Sequence, residues 1–515
     1  MRRDRREEIL AQMEAEEQEQ KKKRGNRFCR TLSVLYTLLA AAFVAMLWKL
    51  DVLPEKYFYP AIGLLALASL FIVPVMFSKK GKKGRKIGAT VIAICLIGVF
   101  GVGTYYLADT MNFLDEITKV GETTEDYYVV VKSEAPYEDV TQIDGKTVGT
   151  YMLNDLSYSE AKAKLQEKVS VNYAYEDDVA TVIEKLLSGD YEAILMSAAS
   201  YQSIKNTGNS DESQAEGASG SNLEAETKVL YTISMPLEVN EKTNSVDVTK
   251  ESFSVLISGS DMEGSIDVPN RTDVNMIATV NPKTHQVLLT SIPRDYYVTL
   301  PSKDAKDKLT HSSLYGVQET IYTIEEKLGI DINYYLRVNY STIIKLVDAM
   351  GGIDIESDND FYTSGMKGMP ELNGHHFVKG TNHVDGKLAL AFCRERHSFV
   401  SGDMQRNENQ QAVLEAILKK ATGSTTILTK YTSLLDAVKD NMATNMTQQE
   451  MAEIIKMQLS DMPDWDISKQ AIKGKNGTDY CYSLGFNAAV VYSIPEEEMK
   501  AVDQIVKVSL GKDSE

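Results

Sequence analysis

The chain has 515 residues, 43% of them hydrophobic and 25% charged, a composition that fits folded protein and leaves room for more than one domain. Its net charge of −18 is uneven: 18 Lys and Arg stand against 9 Asp and Glu up to Ala108, which leaves 37 against 64 beyond it. So acidic a remainder disfavours nonspecific nucleic-acid binding by that part.

Residues 1–24 mix acidic and basic side chains at helical spacing, the pattern of a solvated helix or a disordered tail. Three uncharged stretches follow, at 31–48, 57–78 and 87–108, each close to the length an apolar helix needs to cross a bilayer. They are expected to be transmembrane helices. Lys21, Lys22, Lys23, Arg24, Arg27 and Arg30 precede the first, and Lys79, Lys80, Lys82, Lys83, Arg85 and Lys86 separate the second from the third. Lys and Arg stay on the cytoplasmic side, so the expected topology is a multi-pass cell-membrane protein. Its first 30 residues are cytoplasmic, its spans lie within 31–108, and everything later is extracytoplasmic.

Between 125 and 245 short strand-like runs alternate with helical ones: strands at 127–132, 146–150, 169–175 and 193–196, helices at 157–168 and 179–188. This is the pattern of a small accessory α/β domain. Ile143-Asp-Gly-Lys-Thr-Val-Gly149 and Leu187-Ser-Gly-Asp-Tyr-Glu-Ala193 resemble segments of periplasmic solute-binding domains. Residues 205–226 are polar and small, as in a flexible loop, before strand-like composition resumes at 229–239. Ligand sensing, partner docking and spacing from the bilayer remain open as roles for this domain.

From 250 to 425 the elements are expected to form a catalytic domain with a central mixed sheet flanked by helices. Strands fall at 252–258, 276–280, 287–291, 333–339 and 353–356, and helices at 316–328 and 341–350. Residues 426–515 read as a C-terminal α/β extension, with two helices and then strands around Tyr480 and Val490. Cys29, Cys95, Cys393 and Cys481 make no disulfide framework, and only Cys393 and Cys481 are candidates to pair.

Polar residues gather at the ends of these strands. Asp261 and Asp273 are two carboxylates able to hold Mg²⁺ or Mn²⁺ through oxygen ligands in a mouth completed by phosphate and water. Arg294, Arg394 and Arg396 offer guanidinium forks for phosphate oxygens. On a strand Arg394 and Arg396 would share one face and Glu395 the other. Arg406 and Gln410 lie four apart at a helix start, on one face, and Asp403 is placed to orient an arginine or take a proton from an acceptor hydroxyl.

Gly259-Ser-Asp261, Arg271-Thr-Asp273, Ile292-Pro-Arg-Asp295, Lys308-Leu-Thr-His311, Asp331-Ile-Asn-Tyr-Tyr335, Val347-Asp-Ala-Met-Gly-Gly-Ile-Asp354, Arg394-Glu-Arg396 and Gly402-Asp403 stand in the order and spacing of the LytR-CpsA-Psr domain, which this segment resembles. Three spans and an accessory domain add a likeness to the capsule-associated CpsA branch. The resemblance implies a phosphotransferase that moves a glycopolymer, capsular or teichoic-acid-like, from a polyprenyl-pyrophosphate carrier to peptidoglycan. A phosphodiester forms and polyprenyl phosphate is released.

It implies roles as well: Arg294, Arg394, Arg396 and Asp403 in catalysis, Arg406, Gln410 and Lys308 in substrate binding, Asp261 and Asp273 as metal ligands. His311 is open between structure and function. Apolar residues of the central helices would line a tunnel for the polyprenyl tail, and core packing explains the same residues. Met404, Gln405 and Glu408 depart from the family's usual charged or basic residues there. Alternatives are a domain that only binds or hydrolyses polyprenyl pyrophosphates, and a regulatory membrane protein. The implied partners are the lipid-linked glycan, peptidoglycan and membrane lipid, with no nucleic acid.

A reporter active only in the cytoplasm should work when fused at Lys82 and be silent when fused after Leu107. The reverse pattern would invert the topology argued from charge.

Overall fold

The computed structural model describes residues 2–78, 82–118, 124–151, 156–208, 223–236, 244–260, 266, 270–364, 366, 369–423, 430–439 and 441–512. The chain divides into two units, Met1–Glu116 with Thr447–Met462, and Ile117–Met446 with Pro463–Glu515.

The first unit holds three long helices, α1 (Arg2–Leu50), α2 (Glu55–Phe77) and α3 (Lys83–Ile117), and the helix Gln448–Asp461. All three numbered helices are long and apolar enough to cross a membrane. The mixed-charge N-terminal residues continue α1 as helix rather than preceding it as a tail. Tyr36, Ala40, Ile72, Met76, Ala93 and Phe100 bury one another between the helices. Leu64, Leu67, Phe71, Val99 and Val102 point outward and exposed, as side chains do where lipid rather than water surrounds a bundle.

The second unit begins with an α/β layer of β1 (Thr124–Lys132), β2 (Thr147–Tyr151), α4 (Leu156–Lys168), β3 (Asn172–Glu176), α5 (Val179–Ser188), β4 (Ala193–Ser197), α6 (Ala198–Gly208), α7 (Leu223–Glu226) and β5 (Thr227–Pro236). The sheet runs β3-β2-β4-β1-β5, with β2, β3 and β4 parallel and β1 antiparallel to both neighbours. Helix α5 shows how local chemistry sets the elements. Asp178 caps its start by accepting from Thr181 N, Gly189 ends it in the left-handed region, and Val179, Val182, Ile183 and Leu186 form its buried stripe. Helix α6 extends to Gly208, and 209–222, most of the expected loop, lies outside the described residues.

A six-stranded mixed sheet follows. The elements of this part of the chain are β6 (Phe253–Ser260), β7 (Thr272–Asn281), β8 (Gln286–Ser291), the separate hairpin β9 (Tyr297–Leu300) and β10 (Ala305–Lys308), α8 (Leu309–Ser312), α9 (Val317–Leu328), β11 (Tyr334–Asn339), α10 (Tyr340–Met350) and β12 (Ile353–Ser357). Then come β13 (Phe361–Tyr362), β14 (His376–Phe377), β15 (Gly380–Val384), α11 (Gly386–Arg394), α12 (Asp403–Gly423), a helix Tyr431–Val438, β16 (Met442–Thr444), β17 (Asp466–Ala471), the hairpin β18 (Gly474–Cys481) and β19 (Phe486–Ser493), and a last helix Pro495–Ser509.

The sheet order is β16-β11-β6-β7-β8-β17, so segments after residue 425 supply both edge strands. One face packs Leu256 and Ile277 against Ile321 and Ile324 of α9 and Ala501 of the last helix. The other packs Met276 and Leu289 against Leu414 and Leu418 of α12. Beyond that layer α10, α11 and α12 close on each other through Val347, Phe392, Val413 and Ile417, and Cys393 belongs to this core.

Cys393 and Cys481 do not pair: both are buried free thiols, and burial pushes the Cys393 thiol up to about 12 and raises that of Cys481. A buried thiol in apolar surroundings is inert at neutral pH.

Lys303, on the β9–β10 turn, meets Glu125 of β1 at 2.7 Å, with both side chains almost completely buried. Removing one member of such a pair strands a charge, whereas removing both need not. Glu125→Gln is expected to cost about 3 kcal/mol in denaturant unfolding, and Glu125→Gln with Lys303→Met to regain most of it. A double-variant loss equal to the sum of the losses in Glu125→Gln and Lys303→Met would show the pair to be uncoupled.

Candidate active site

The sheet's hydrogen-bond register brings distant parts of the sequence to one end. β6 runs to Ser260 opposite Thr272 at the start of β7, and Ile292, just past β8, donates its N–H to Asn275 of β7. β11 runs parallel to β6 and ends with Asn339 opposite Ser260. Asn339 then caps α10 by accepting from Thr342 N, so Tyr340 lies at the same end. Carboxyl ends of strands in an α/β layer are the usual place for a site.

At that end Arg271 and Asp273, two apart, flank the first residue of β7, and Arg294 and Asp295 follow Pro293. Asp273 is the centre of the cluster. Arg294 Nη1 is 3.0 Å from its Oδ1, and Arg406 Nη1, from the first turn of α12, is 3.6 Å from its Oδ2. Asp403, the first residue of α12, lies 2.6 Å from Arg406 Nη2 and 3.7 Å from Arg294 Nε. A carboxylate in the first turn also faces the positive end of the helix dipole. Lys308 reaches Asp295 at 3.2 Å, and Arg294 Nε is 3.5 Å from the other oxygen of Asp295.

Arg271, Asp273, Arg294, Lys308, Arg406 and Gln410 are all buried, and Asp295 and Asp403 are partly exposed, Asp403 the more so. Burial opposes ionisation of Asp273 and Asp295, and the guanidinium of Arg294 beside both overrides it, with Arg406 supporting Asp273 and Lys308 supporting Asp295. Asp273 is held well below the usual carboxylate range, and Asp295 at about 2. Four cations, Arg271, Arg294, Lys308 and Arg406, thus face three carboxylates, Asp273, Asp295 and Asp403. Arg406 Nε is buried with no hydrogen-bond partner among the described residues, so a donor remains for an anion.

Arg294, Asp273, Asp403, Arg406 and Lys308, scattered over more than a hundred positions, therefore meet as the sequence anticipates. Gln410 is buried one turn beyond Arg406 on α12. Asp261 lies outside the described residues.

Arg394 and Arg396 need correction. Arg394 ends helix α11, and Glu395 is its extended cap, so the pair is not on a strand. The local alternation survives in another form. Glu395 is fully buried, accepting from Ser364 N at 2.5 Å and Ser398 N at 2.9 Å, while Arg394 lies 5.2 Å from the ring centroid of Tyr340 and Arg396 is partly buried. The helix wins because Asp385 caps it and Ala389, Leu390, Phe392 and Cys393 bury its stripe.

His311 sits against Asp307 at 2.6 Å, both fully buried, one step behind Lys308. Arg271 and Asp295 join the cluster beside the expected site residues, and the spacing of Arg271 to Asp273 by two and the place of Asp295 after Arg294 at a strand end carry the signal.

As for a metal, no group of three or more His, Cys, Asp or Glu converges among the described residues. Asp273 suits Mg²⁺ in being an ionised oxygen donor, and its two oxygens face Arg294 and Arg406. Mg²⁺ commonly takes one or two carboxylates with substrate phosphates, so the donor chemistry fits.

The sequence matches the family model described as the LytR_cpsA_psr family over residues 221–507. The chain belongs to that family. A protein of Bacillus mycoides named polyisoprenyl-teichoic acid–peptidoglycan teichoic acid transferase TagU is 36% identical over 235 residues, 45% of this chain and 73% of its own. The Enterococcus faecalis protein of the same name is 32% identical over 267 residues, 51% and 81% of the respective chains. The crystal structure of B. subtilis TagU shares 29% identity, with a TM-score of 0.39, over 52% of this chain and all of that one.

Depressed carboxylate values set a direction with pH. Asp295 stabilises the fold fully above the unfolded-state value near 4, and that contribution is lost as pH falls towards about 2. Urea unfolding between those limits should show a loss of stability that Asp295→Asn flattens. An unchanged acid limb in the variant would remove Asp295 from the network.

Proposed function

We propose that this protein is a membrane-anchored phosphotransferase that moves a glycopolymer from a polyprenyl-pyrophosphate carrier to peptidoglycan on the outer side of the cell membrane. The observation that carries this is the buried cluster around Asp273, with guanidiniums held apart by carboxylates and the Arg406 Nε donor left over. A pyrophosphate is the ligand class that needs several fixed cations at once. The relatives' printed names give the acceptor and the glycopolymer class.

In this reading a peptidoglycan hydroxyl attacks the phosphorus that carries the glycan. The new O–P bond forms as the bond from that phosphorus to the bridging oxygen breaks, and polyprenyl phosphate leaves with the electron pair. Arg294 and Arg406 hold the phosphoryl oxygens and stabilise the charge that grows on the leaving oxygen. Lys308, anchored on Asp295, adds a cation behind them, and Arg271, Arg394 and Arg396 extend the positive rim. Asp403, the most exposed carboxylate of the cluster, receives the acceptor's proton. Asp273, with Asp261, would hold Mg²⁺, which neutralises pyrophosphate charge when bound.

A lipid tail needs an apolar bed. Val255, Ile257, Val274, Leu336 and Val338 of β6, β7 and β11 are only half buried, and Val255, Ile257 and Val274 border the α12 side chains Leu414 and Leu418. Half-burial of such residues is unfavourable unless something covers them, which supports the polyprenyl carrier.

Incubating the purified protein with a lipid-linked sugar, Mg²⁺ and peptidoglycan fragments should give a sugar-phosphate-peptidoglycan adduct. Free sugar phosphate alone would make the protein a hydrolase. Arg406→Lys keeps the charge and loses the fork, so turnover should fall about a hundredfold, near 3 kcal/mol of barrier, with a small change in melting temperature. Glu395→Gln should instead lower the melting temperature first, because its carboxylate anchors Ser364 and Ser398. Parallel loss of turnover and melting temperature in both variants would make Arg406 structural.

A further inference from the structure

In an open α/β sheet the crevice outside the carboxyl ends of parallel strands, where strand order reverses, is the place for a ligand. In the accessory layer β2 leads through α4 to β3 on one side, and β3 leads through α5 to β4 on the other, so the reversal falls between β2 and β4. The chain itself fills this position. The turn between β18 and β19 enters so closely that a Cβ on Gly485 would stand 2.6 Å from Val179 Cγ1 at the start of α5. Gly485 has φ +72°, so its identity serves both the turn and the contact. Cys481 heads a buried cluster that includes Ile204 of α6, and Tyr482 packs on Ala199 of the same helix.

The other side of this turn reaches the active-site cluster. Ser483 is fully buried and donates its N–H at 2.8 Å and its hydroxyl at 2.5 Å to Asp307 Oδ2. Asp307 Oδ1 in turn accepts from Lys308 N at 2.8 Å and lies 2.6 Å from His311 Nδ1. Lys308 carries the ammonium that meets Asp295 beside Arg294. Ser483, Asp307, His311 and Lys308 are all buried, so the contacts among them are little diluted by competing water.

We propose that the accessory domain is a positioning module for the transfer site: its crevice clamps the turn bearing Ser483, and Ser483 fixes Asp307 and through it Lys308. Ser483 touches no reacting atom and acts through Asp307. This rests on the transfer reading given above for its rate measurement, whereas its structural part stands without it.

The test uses the full-length protein in lipid nanodiscs, with a synthetic short-chain prenyl-pyrophosphate disaccharide as donor and a peptidoglycan fragment as acceptor. Ser483→Ala should lower kcat about tenfold, the weight of one hydrogen bond to a charged group, with KM for the donor within about twofold. Hydrogen exchange of the 307–311 amides should speed up in the same variant, and Ser483→Thr, which keeps the hydroxyl, should restore both. Ala199→Arg, in the crevice, should reproduce the faster exchange. Unchanged exchange at 307–311 in Ser483→Ala, or a kcat loss that Ser483→Thr does not recover, overturns the proposal even if Ala199→Arg fails to fold. Absence of transfer by the unmodified protein would sink the transferase reading alone, and the exchange comparison would still decide the coupling.

Discussion

Arg294 and Arg406 lie far apart in the sequence and are brought together, almost fully buried, where two guanidiniums would repel each other without a counter-charge. Asp273 resolves this by placing one oxygen towards each. Its own burial would favour the neutral acid, and the two cations keep it charged. A network of this kind contributes little net stability, since well-packed apolar residues commonly do as well. What it provides is a set of cations fixed in advance, with the reorganisation already accomplished in folding.

The sheet is built to meet that constraint. The start of β7, the exit of β8 and the caps of α10 and α12 all deliver polar side chains to one end, while helices pack on both faces of the sheet. That end can thus be crowded with charge while the interior remains apolar. The accessory layer is part of the same compact unit, joined by the buried Lys303–Glu125 pair and by the β18–β19 turn.

Much of this was legible in the sequence because it rests on local rules. Period-two and period-3.6 patterns located β6, β8, β11, α5, α9 and α10 within a residue or two, and Gly351-Gly352 ended α10 as such a pair should. Motif order brought out Arg294, Asp273, Asp403 and Arg406. What the sequence hid is non-local. Arg394 to Arg396 alternate as a strand would, yet the apolar stripe of α11 closing against α12 makes the segment a helix end. The edge strands β16 and β17 are short and weakly patterned and exist because β11 and β8 offer them partners. The partnership of Ser483 with Asp307 joins residues 176 apart, and no spacing rule reaches that far.

Those two edge strands have a consequence for biosynthesis. The inner four strands, β11-β6-β7-β8, are complete once residue 339 has been made, but their outer edges stay unpaired until Met442–Thr444 and Asp466–Ala471 emerge. Unpaired strand edges are templates for pairing with other chains. The newborn chain therefore holds two open edges through the synthesis of over a hundred further residues, and the helix Pro495–Ser509, which covers the Leu288 face, arrives later still. A product truncated before Asp466 would keep its whole arginine cluster and still lack the strand that pairs with β8, leaving that edge open to other chains.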